Sequence, residues 1–236
     1  MNYLAHYAYN HEFGRLEPRP YFVLGVVLPD LWTRFSRRRR LRWKAVRTNA
    51  PRDAHVADLR AGLLNHVEAD RRFHAAPIFA QWRAALKRHI AADAVGGLTA
   101  DFLAHLIPEL ILDHWICRRS PHLASAFYDR LSLCDTRFVE TEISELGQVD
   151  ARGLAREIDD FIARRYLVRF AQLDTIPEVV EFVLHLTGIP ERPPPVLAAT
   201  LIQVAREIVD PELVWPQMGP PPLNVDRLAQ PASADR

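Results

Sequence analysis

Three residues that can bind a metal stand four positions apart in the segment HVEADRRFH, which covers residues 66–74. They are His66, Asp70 and His74. A step of four residues turns an α-helix by only about 40°, so the three side chains would form one row on a helix. Imidazole nitrogens and carboxylate oxygens are ligands of many Zn, Mn and Fe sites. The spacing indicates a metal-binding face, although an exposed face in which Asp70 pairs with an arginine fits the same residues.

A second row occurs in the segment DFLAHLIPELILDHW, residues 101–115, which otherwise consists mostly of apolar residues and contains no Lys or Arg. Buried carboxylates need partners, because burying them unpaired costs on the order of several kcal/mol. A bound cation would supply the missing counter-charge. The members of this row are Asp101, His105, Glu109 and Asp113, and His114 follows directly.

Two further polar groups accompany apolar segments. His6 lies among Tyr, Leu and Ala residues near the N-terminus, and Asp30 follows the run YFVLGVVLP. Taken singly, His6 fits a hydrogen-bonded core histidine and Asp30 fits a helix cap. Together with the two rows, they predict a metal-centred hydrolytic site to which four helical segments contribute.

The elements that must position these residues are predicted to be helices. Apolar residues recur at steps of three and four through most of the chain, and no segment shows the alternation of a strand followed by a hairpin turn. We expect an all-α protein with one multi-helix bundle domain at residues 1–214 and a Pro-rich flexible tail at 215–236. The predicted helices cover about 3–13, 21–32, 55–75, 79–90, 99–117, 121–133, 136–145, 151–172, 177–187 and 195–209.

Composition excludes several classes of protein. The 236 residues are 49% hydrophobic and 25% charged, and the formal net charge of +1 does not favour a general polyanion binder. Cys117 and Cys134 lie far apart without a CxxC partner, which argues against a disulfide framework and for buried thiols in a reducing compartment. The longest apolar run, 21–28, is too short to span a bilayer, and the N-terminus does not resemble a signal peptide. We therefore expect a cytoplasmic protein without a membrane partner.

Several short motifs occur along the chain in the order Asn2–His6, Gly25–Asp30, Gly62 with His66 and Asp70, Asp113–Ile116 and Tyr166–Phe170. In this order and spacing, they resemble the acyl carrier protein phosphodiesterases, which are regarded as divergent HD-type metal-dependent phosphohydrolases. The similarity covers most of residues 1–190. The resemblance implies an HD-domain-like helical fold, a divalent cation that is commonly Mn or Mg, and hydrolysis of the phosphodiester that joins 4′-phosphopantetheine to a serine of acyl carrier protein.

The resemblance also implies roles for individual residues. It gives His6, Asp30, His66, Asp70, Asp113 and His114 as candidate site residues. Of these, we expect His66, Asp70, Asp113 and His114 to bind the metal, with His6 and Asp30 as further ligands or as residues that orient them. A ligating imidazole needs an acceptor for its second nitrogen, and either Glu109 or a backbone carbonyl could serve. Glu109 is therefore included in the predicted metal set.

Three predicted catalytic residues complete the site. We expect His74 or His105 to protonate the leaving alkoxide, and Arg71 to bind a phosphate oxygen. Family members tend to have an acid at position 74, and His105 is an addition in this chain.

The basic segment SRRRRLRWKAVR, residues 36–47, has two interpretations. It fits a docking patch, Arg37–Arg47, for acidic acyl carrier protein or another acidic phosphodiester-bearing partner, with Trp43 as an apolar anchor. It also fits a solvated loop. Nucleic acid would suit the patch through phosphate contacts but is the less favoured partner.

Two rival functions stay open at this point. One is a phosphohydrolase that acts on a nucleotide or a phospholipid head group, with the same metal. The other is a non-catalytic helical binding protein in which the two rows form structural salt bridges.

Overall fold

The computed structural model describes residues 1–13, 19–36, 39–90, 95–187 and 193–221. These residues form helices and connecting segments without a β-strand, so the all-α prediction is confirmed. Two 3₁₀ segments, Tyr166–Ala171 and Leu173–Thr175, precede α10. The α-helices are α1 Tyr3–Phe13, α2 Pro20–Phe35, α3 Trp43–Thr48, α4 Ala54–Ala75, α5 Pro77–Lys87, α6 Gly97–Arg119, α7 Pro121–Leu131, α8 Thr136–Leu146, α9 Leu154–Arg164, α10 Ile176–Thr187, α11 Pro195–Ile208 and α12 Pro211–Met218.

Helix starts follow local sequence signals. Proline, whose missing N–H is not needed in a first turn, begins α2, α5, α11 and α12. The carboxylate of Asp135 accepts hydrogen bonds from the amides of Arg137 and Phe138 and thereby caps α8. These signals explain why most predicted helices lie close to the observed ones.

Three boundaries differ from the prediction. Helix α2 continues through Pro29 to Phe35, and the predicted helix over 151–172 ends at Arg164, because Arg165 adopts a left-handed conformation with φ of 44°. Helix α12 continues past residue 214, where the tail was expected to begin, and buries Trp215 and Met218. The remainder of that expected tail, from 222 onwards, lies outside the described residues.

The described residues fall into two compact units. Unit 1 comprises Met1–Ala5, Arg71–Ala124 and Tyr166–Gly219. Its central helix is α6, which packs against α5, α10, α11, α12 and the first 3₁₀ segment. The HD-domain-like arrangement stays a prediction.

Unit 2 comprises His6–Asp70 and Ser125–Arg165, together with residues 220–221. In this unit α9 packs against α2 and α8, and α2 crosses α4 at two glycines. A Cβ atom on Gly62 would lie 2.8 Å from the Cα atom of Gly25 and would also clash with the Phe22 carbonyl oxygen. The two helices therefore approach backbone to backbone, which only glycine permits.

Two other sequence expectations have structural counterparts. Cys117 is buried and Cys134 is half-buried, and both are thiols without a disulfide. No helix in the described part of the chain combines the length and the hydropathy needed to cross a membrane.

Candidate metal centre

His6, His66 and Asp70 converge in unit 2, and we call them the first metal group. Each offers one ligand atom, and these atoms all lie within 4.8 Å of one another. His6 Nε2 lies 3.1 Å from Asp70 Oδ1, and His66 Nε2 lies 3.6 Å from Asp70 Oδ2. The two imidazole rings stack, with centroids 4.1 Å apart and planes inclined by 26°. Residues of α1 and α4 thus present two nitrogens and a carboxylate to one point.

The hydrogen bond of His66 determines which of its nitrogens faces the group. Its Nδ1 lies 2.8 Å from the carbonyl oxygen of Val26, which can only accept, so Nδ1 carries the hydrogen and donates. Burial, with a smaller contribution from the charge of His6, lowers the pKa of His66 to about 3, which makes the ring neutral at pH 7. The Nε2 lone pair consequently points at the Asp70 carboxylate.

The Asp70 carboxyl is ionised. Burial alone would raise the pKa of Asp70, but the hydrogen bond and the charge of His6 act in the opposite direction, and the pKa lies well below its usual value. A lone pair of His66 and an anionic oxygen of Asp70 therefore face each other. A divalent cation between them would compensate both groups.

Asp30 lies at the edge of the first metal group. Its carboxylate oxygens are 4.0 Å from His6 Nε2 and 3.9 Å from His66 Nε2. Asp30 follows Pro29 inside α2 and is not a helix cap, which was one of the alternatives from the sequence. Its side chain is 30% exposed and that of Asp70 is 28% exposed, so the carboxylates lie on the solvent-accessible side of the two buried imidazoles.

Two contacts that the sequence did not reveal position this group. Asn10 on α1 and Asn65 on α4 form a reciprocal amide pair, with N···O distances of 2.9 and 3.0 Å. Asn10 also donates to the carbonyl oxygen of His6. Asn65 is buried, and buried amides need hydrogen-bond partners. Its position directly before His66 is the sequence feature that could have identified it.

A second group, His74, His105 and Glu109, converges in unit 1, and we call it the second metal group. Glu109 Oε1 lies 3.0 Å from His74 Nε2, 3.3 Å from His105 Nε2 and 3.3 Å from the α-amino nitrogen of Met1. Burial alone would raise the pKa of Glu109, but these cationic and hydrogen-bonding neighbours outweigh it and lower the pKa. The structure thus brings together His74 and His105, which were predicted as proton donors, and Glu109, which was predicted to bind metal.

Asp113 makes contacts different from those predicted. Its carboxylate accepts hydrogen bonds from the Asn2 side chain and from the backbone amides of Leu4 and Ala5, at 2.8, 3.2 and 2.7 Å. Asp113 therefore caps the first turn of α1 from another helix. Burial raises the pKa of Asp113 to about 7, although the two amide hydrogen bonds act in the opposite direction.

His114 is likewise held by the backbone. Its Nδ1 donates to the carbonyl oxygen of Phe170 at 2.7 Å, and burial lowers the pKa of the ring. Neither Asp113 nor His114 belongs to either metal group found among the described residues. For these two residues the predicted ligand role stays a prediction.

The remaining predicted residues lie on exposed surface. Asp101 pairs with Lys87 of α5, so one acid of the second row has an ordinary counter-charge from a neighbouring helix. Arg71 directly follows Asp70 on α4 and is exposed. Its predicted contact with a phosphate stays a prediction.

The basic segment forms α3 and the chain before it in unit 2. Ala45 and Val46 anchor α3 in the interior, whereas Arg40, Lys44 and Arg47 are exposed. Arg37, at the start of the predicted docking patch, lies with residue 38 outside the described residues. The described part of the segment thus has a buried apolar side, formed by Ala45 and Val46, and a cationic outer face.

Comparison with known proteins gives no match. No family model matches the chain, and neither a curated protein nor a solved structure does so.

Proposed function

We propose that this protein is a metal-dependent phosphodiester hydrolase whose cation is bound by His6, His66 and Asp70, with Asp30 as a fourth ligand. The proposal rests mainly on one observation. The Nε2 lone pair of His66 faces the ionised carboxylate of Asp70, and a divalent cation would compensate both.

The donor set fits a divalent transition metal. Imidazole suits Zn and Fe, and carboxylate suits Mn and Mg, so two of each favour Zn, Mn or Fe over Mg. With Zn–N distances of 2.0–2.1 Å, ligand atoms at a tetrahedral site are about 3.3 Å apart. The distances of 3.1 and 3.6 Å within the first metal group bracket that value.

The residues of the chain would perform distinct tasks. The carbonyl oxygen of Val26 holds His66 in one tautomer, and the amide pair of Asn10 and Asn65 holds α1 against α4. The partial exposure of Asp30 and Asp70 leaves one side accessible to a phosphodiester. When bound, the cation supplies Lewis acidity that activates water and stabilises charge on the phosphate oxygens.

For the substrate we propose 4′-phosphopantetheine attached to acyl carrier protein. Two features support this choice: the resemblance to the acyl carrier protein phosphodiesterases, and the cationic face of α3, which lies in the same unit as the first metal group. An acidic carrier protein would be attracted by exposed Lys44 and Arg47.

Hydrolysis of holo-acyl carrier protein tests the proposal. With Mn²⁺ present, mass spectrometry should detect apo-carrier protein and released 4′-phosphopantetheine, and His66→Ala should abolish release while the protein stays helical. The control is His122→Ala, which removes an exposed imidazole on α7. If the wild-type protein releases nothing from the carrier protein but hydrolyses a nucleotide or phospholipid head-group diester, the substrate assignment fails and the metal assignment survives. If it hydrolyses no phosphodiester, the proposed function fails.

A further inference from the structure

We propose that the second metal group, His74, His105 and Glu109, is a Zn²⁺ site in its own right. This inference concerns unit 1 alone and does not depend on the proposed hydrolysis. It assigns the two imidazoles, which the sequence suggested as proton donors, to metal binding.

The geometry of the ligand atoms supports zinc. His105 and Glu109 stand one turn apart on α6, and His74 reaches them from the last turn of α4. Their Nε2 atoms lie 3.0 and 3.3 Å from the same glutamate oxygen. Because zinc-bound nitrogens lie 2.0–2.1 Å from the ion, neighbouring ligand atoms of a tetrahedral site are about 3.3 Å apart. Small movements of three side chains would therefore complete the coordination.

The imidazole rings are already oriented. Phe79, which is buried, packs against His74 with ring centroids 5.2 Å apart and against the His105 ring edge-to-face at 5.3 Å. The two imidazoles themselves are 4.7 Å apart. An apolar contact surface that holds both rings reduces the entropy lost on metal binding.

The charge of the second metal group and its exposure to solvent also suit a bound zinc ion. The ionised carboxylate of Glu109 has the Met1 ammonium beside it, and a bound cation would take over that charge compensation. The His74 and His105 side chains are 33% and 39% exposed, which leaves a route for the ion and a fourth position for water. Two histidines and a glutamate with an open position form a ligand set that zinc uses in proteins.

Zinc stoichiometry measured by equilibrium dialysis at buffered free Zn²⁺, followed by metal analysis, tests this inference. His105→Ala should bind one equivalent less than the wild type, and its affinity for the remaining zinc should be unchanged. Glu109→Gln keeps the shape of the side chain and should weaken binding at this site by at least about tenfold. His122→Ala should retain the wild-type stoichiometry, and circular dichroism should show that each variant remains helical.

A second readout is thermal stability. Zn²⁺ should raise the Tm of the wild-type protein by more than it raises the Tm of His105→Ala, because an ion that binds only the native state stabilises it. Equal stoichiometry and equal Tm shifts in the wild type and in both variants would overturn the inference, leaving a hydrogen-bonded cluster.

The same experiment separates this site from the first metal group. His66→Ala should lose zinc from the first group and retain it at the second. If His105→Ala loses an equivalent while His66→Ala loses none, the second site stands and the proposed metal centre fails. If only His66→Ala loses zinc, the first metal group binds the ion and the inferred site at the second metal group fails.

Discussion

His66 and Asp70, one helical turn apart on α4, face each other through atoms that are both electron-rich. The Nε2 atom of His66 lies 3.6 Å from Asp70 Oδ2, and the Nδ1 hydrogen of the same ring is donated to the Val26 carbonyl oxygen. A salt bridge would need a proton on Nε2, and burial disfavours that charge. A cation between these two atoms would compensate both, and His6 Nε2 lies 3.1 Å from the same carboxylate.

Replacing Asp70 tests the electrostatic contribution to metal binding. Asp70→Asn keeps the volume of the side chain but removes the charge, so we expect the Mn²⁺ affinity of the first metal group to fall at least about tenfold. Isothermal titration calorimetry measures this change. Asp159→Asn makes the same substitution at an exposed position of α9 and should leave the affinity unchanged. Equal affinity in the two variants would exclude Asp70 as a ligand.

Replacing Gly62 tests the helix crossing that positions Asp30 and His66. In Gly62→Ala the new methyl group meets the backbone of α2, which cannot move aside as a flexible side chain does. We expect the free energy of unfolding to fall by about 1–3 kcal/mol or more, measured by urea denaturation.

Gly97→Ala is the matched control, because a Cβ atom there meets nothing within 4 Å. Its effect should stay within about 1 kcal/mol and have either sign. If the two variants have the same stability, α2 and α4 are not in backbone contact.

The sequence was sufficient for the all-α fold and for the row formed by His66 and Asp70. A four-residue step places His66 and Asp70 on one face whatever the tertiary structure is, so their proximity could be predicted. The approach of His6 depends on packing between α1 and α4, and it was expected from the joint presence of several polar groups and from the resemblance, not from the spacing of one helix. The periodicity of apolar and polar residues along one helix does not predict contacts between helices that are distant in sequence.

Asp113 shows that a buried carboxylate has more than one way to be compensated. We expected a cation, whereas the carboxylate accepts three N–H groups at the first turn of α1. A helix start leaves several amides without intrahelical partners, and residues 108 or more positions away can satisfy them. Nothing in the local sequence around Asp113 identifies that partner.

Asp113→Asn tests the capping role. The amide places an NH₂ group where the carboxylate accepted N–H donors, so one donor loses its partner and we expect a loss of about 1–3 kcal/mol in unfolding free energy. Thermal denaturation measures it, and the metal stoichiometry should not change. Asp101→Asn, at the exposed start of the same helix, should leave the unfolding free energy nearly unchanged. Loss of bound metal with unchanged stability would instead support the original ligand prediction for Asp113.

Charge reversal on α3 tests the proposed partner. The double variant Lys44→Glu/Arg47→Glu should raise the KM for holo-acyl carrier protein by about tenfold at low ionic strength, and by less at high salt, because screening weakens the attraction. Turnover of a small phosphodiester without a carrier protein should stay at the wild-type rate. A KM that is unchanged at low salt would exclude this face from docking.

The central claim is that His6, His66 and Asp70 bind one cation, and a crystal structure of the protein grown with Mn²⁺ tests it most directly through anomalous scattering. We predict an anomalous peak at a coordination distance of about 2.0–2.3 Å from His6 Nε2, His66 Nε2 and a carboxylate oxygen of Asp70. Density for Mn²⁺ elsewhere, with His66 Nε2 instead bonded directly to Asp70, would contradict the claim.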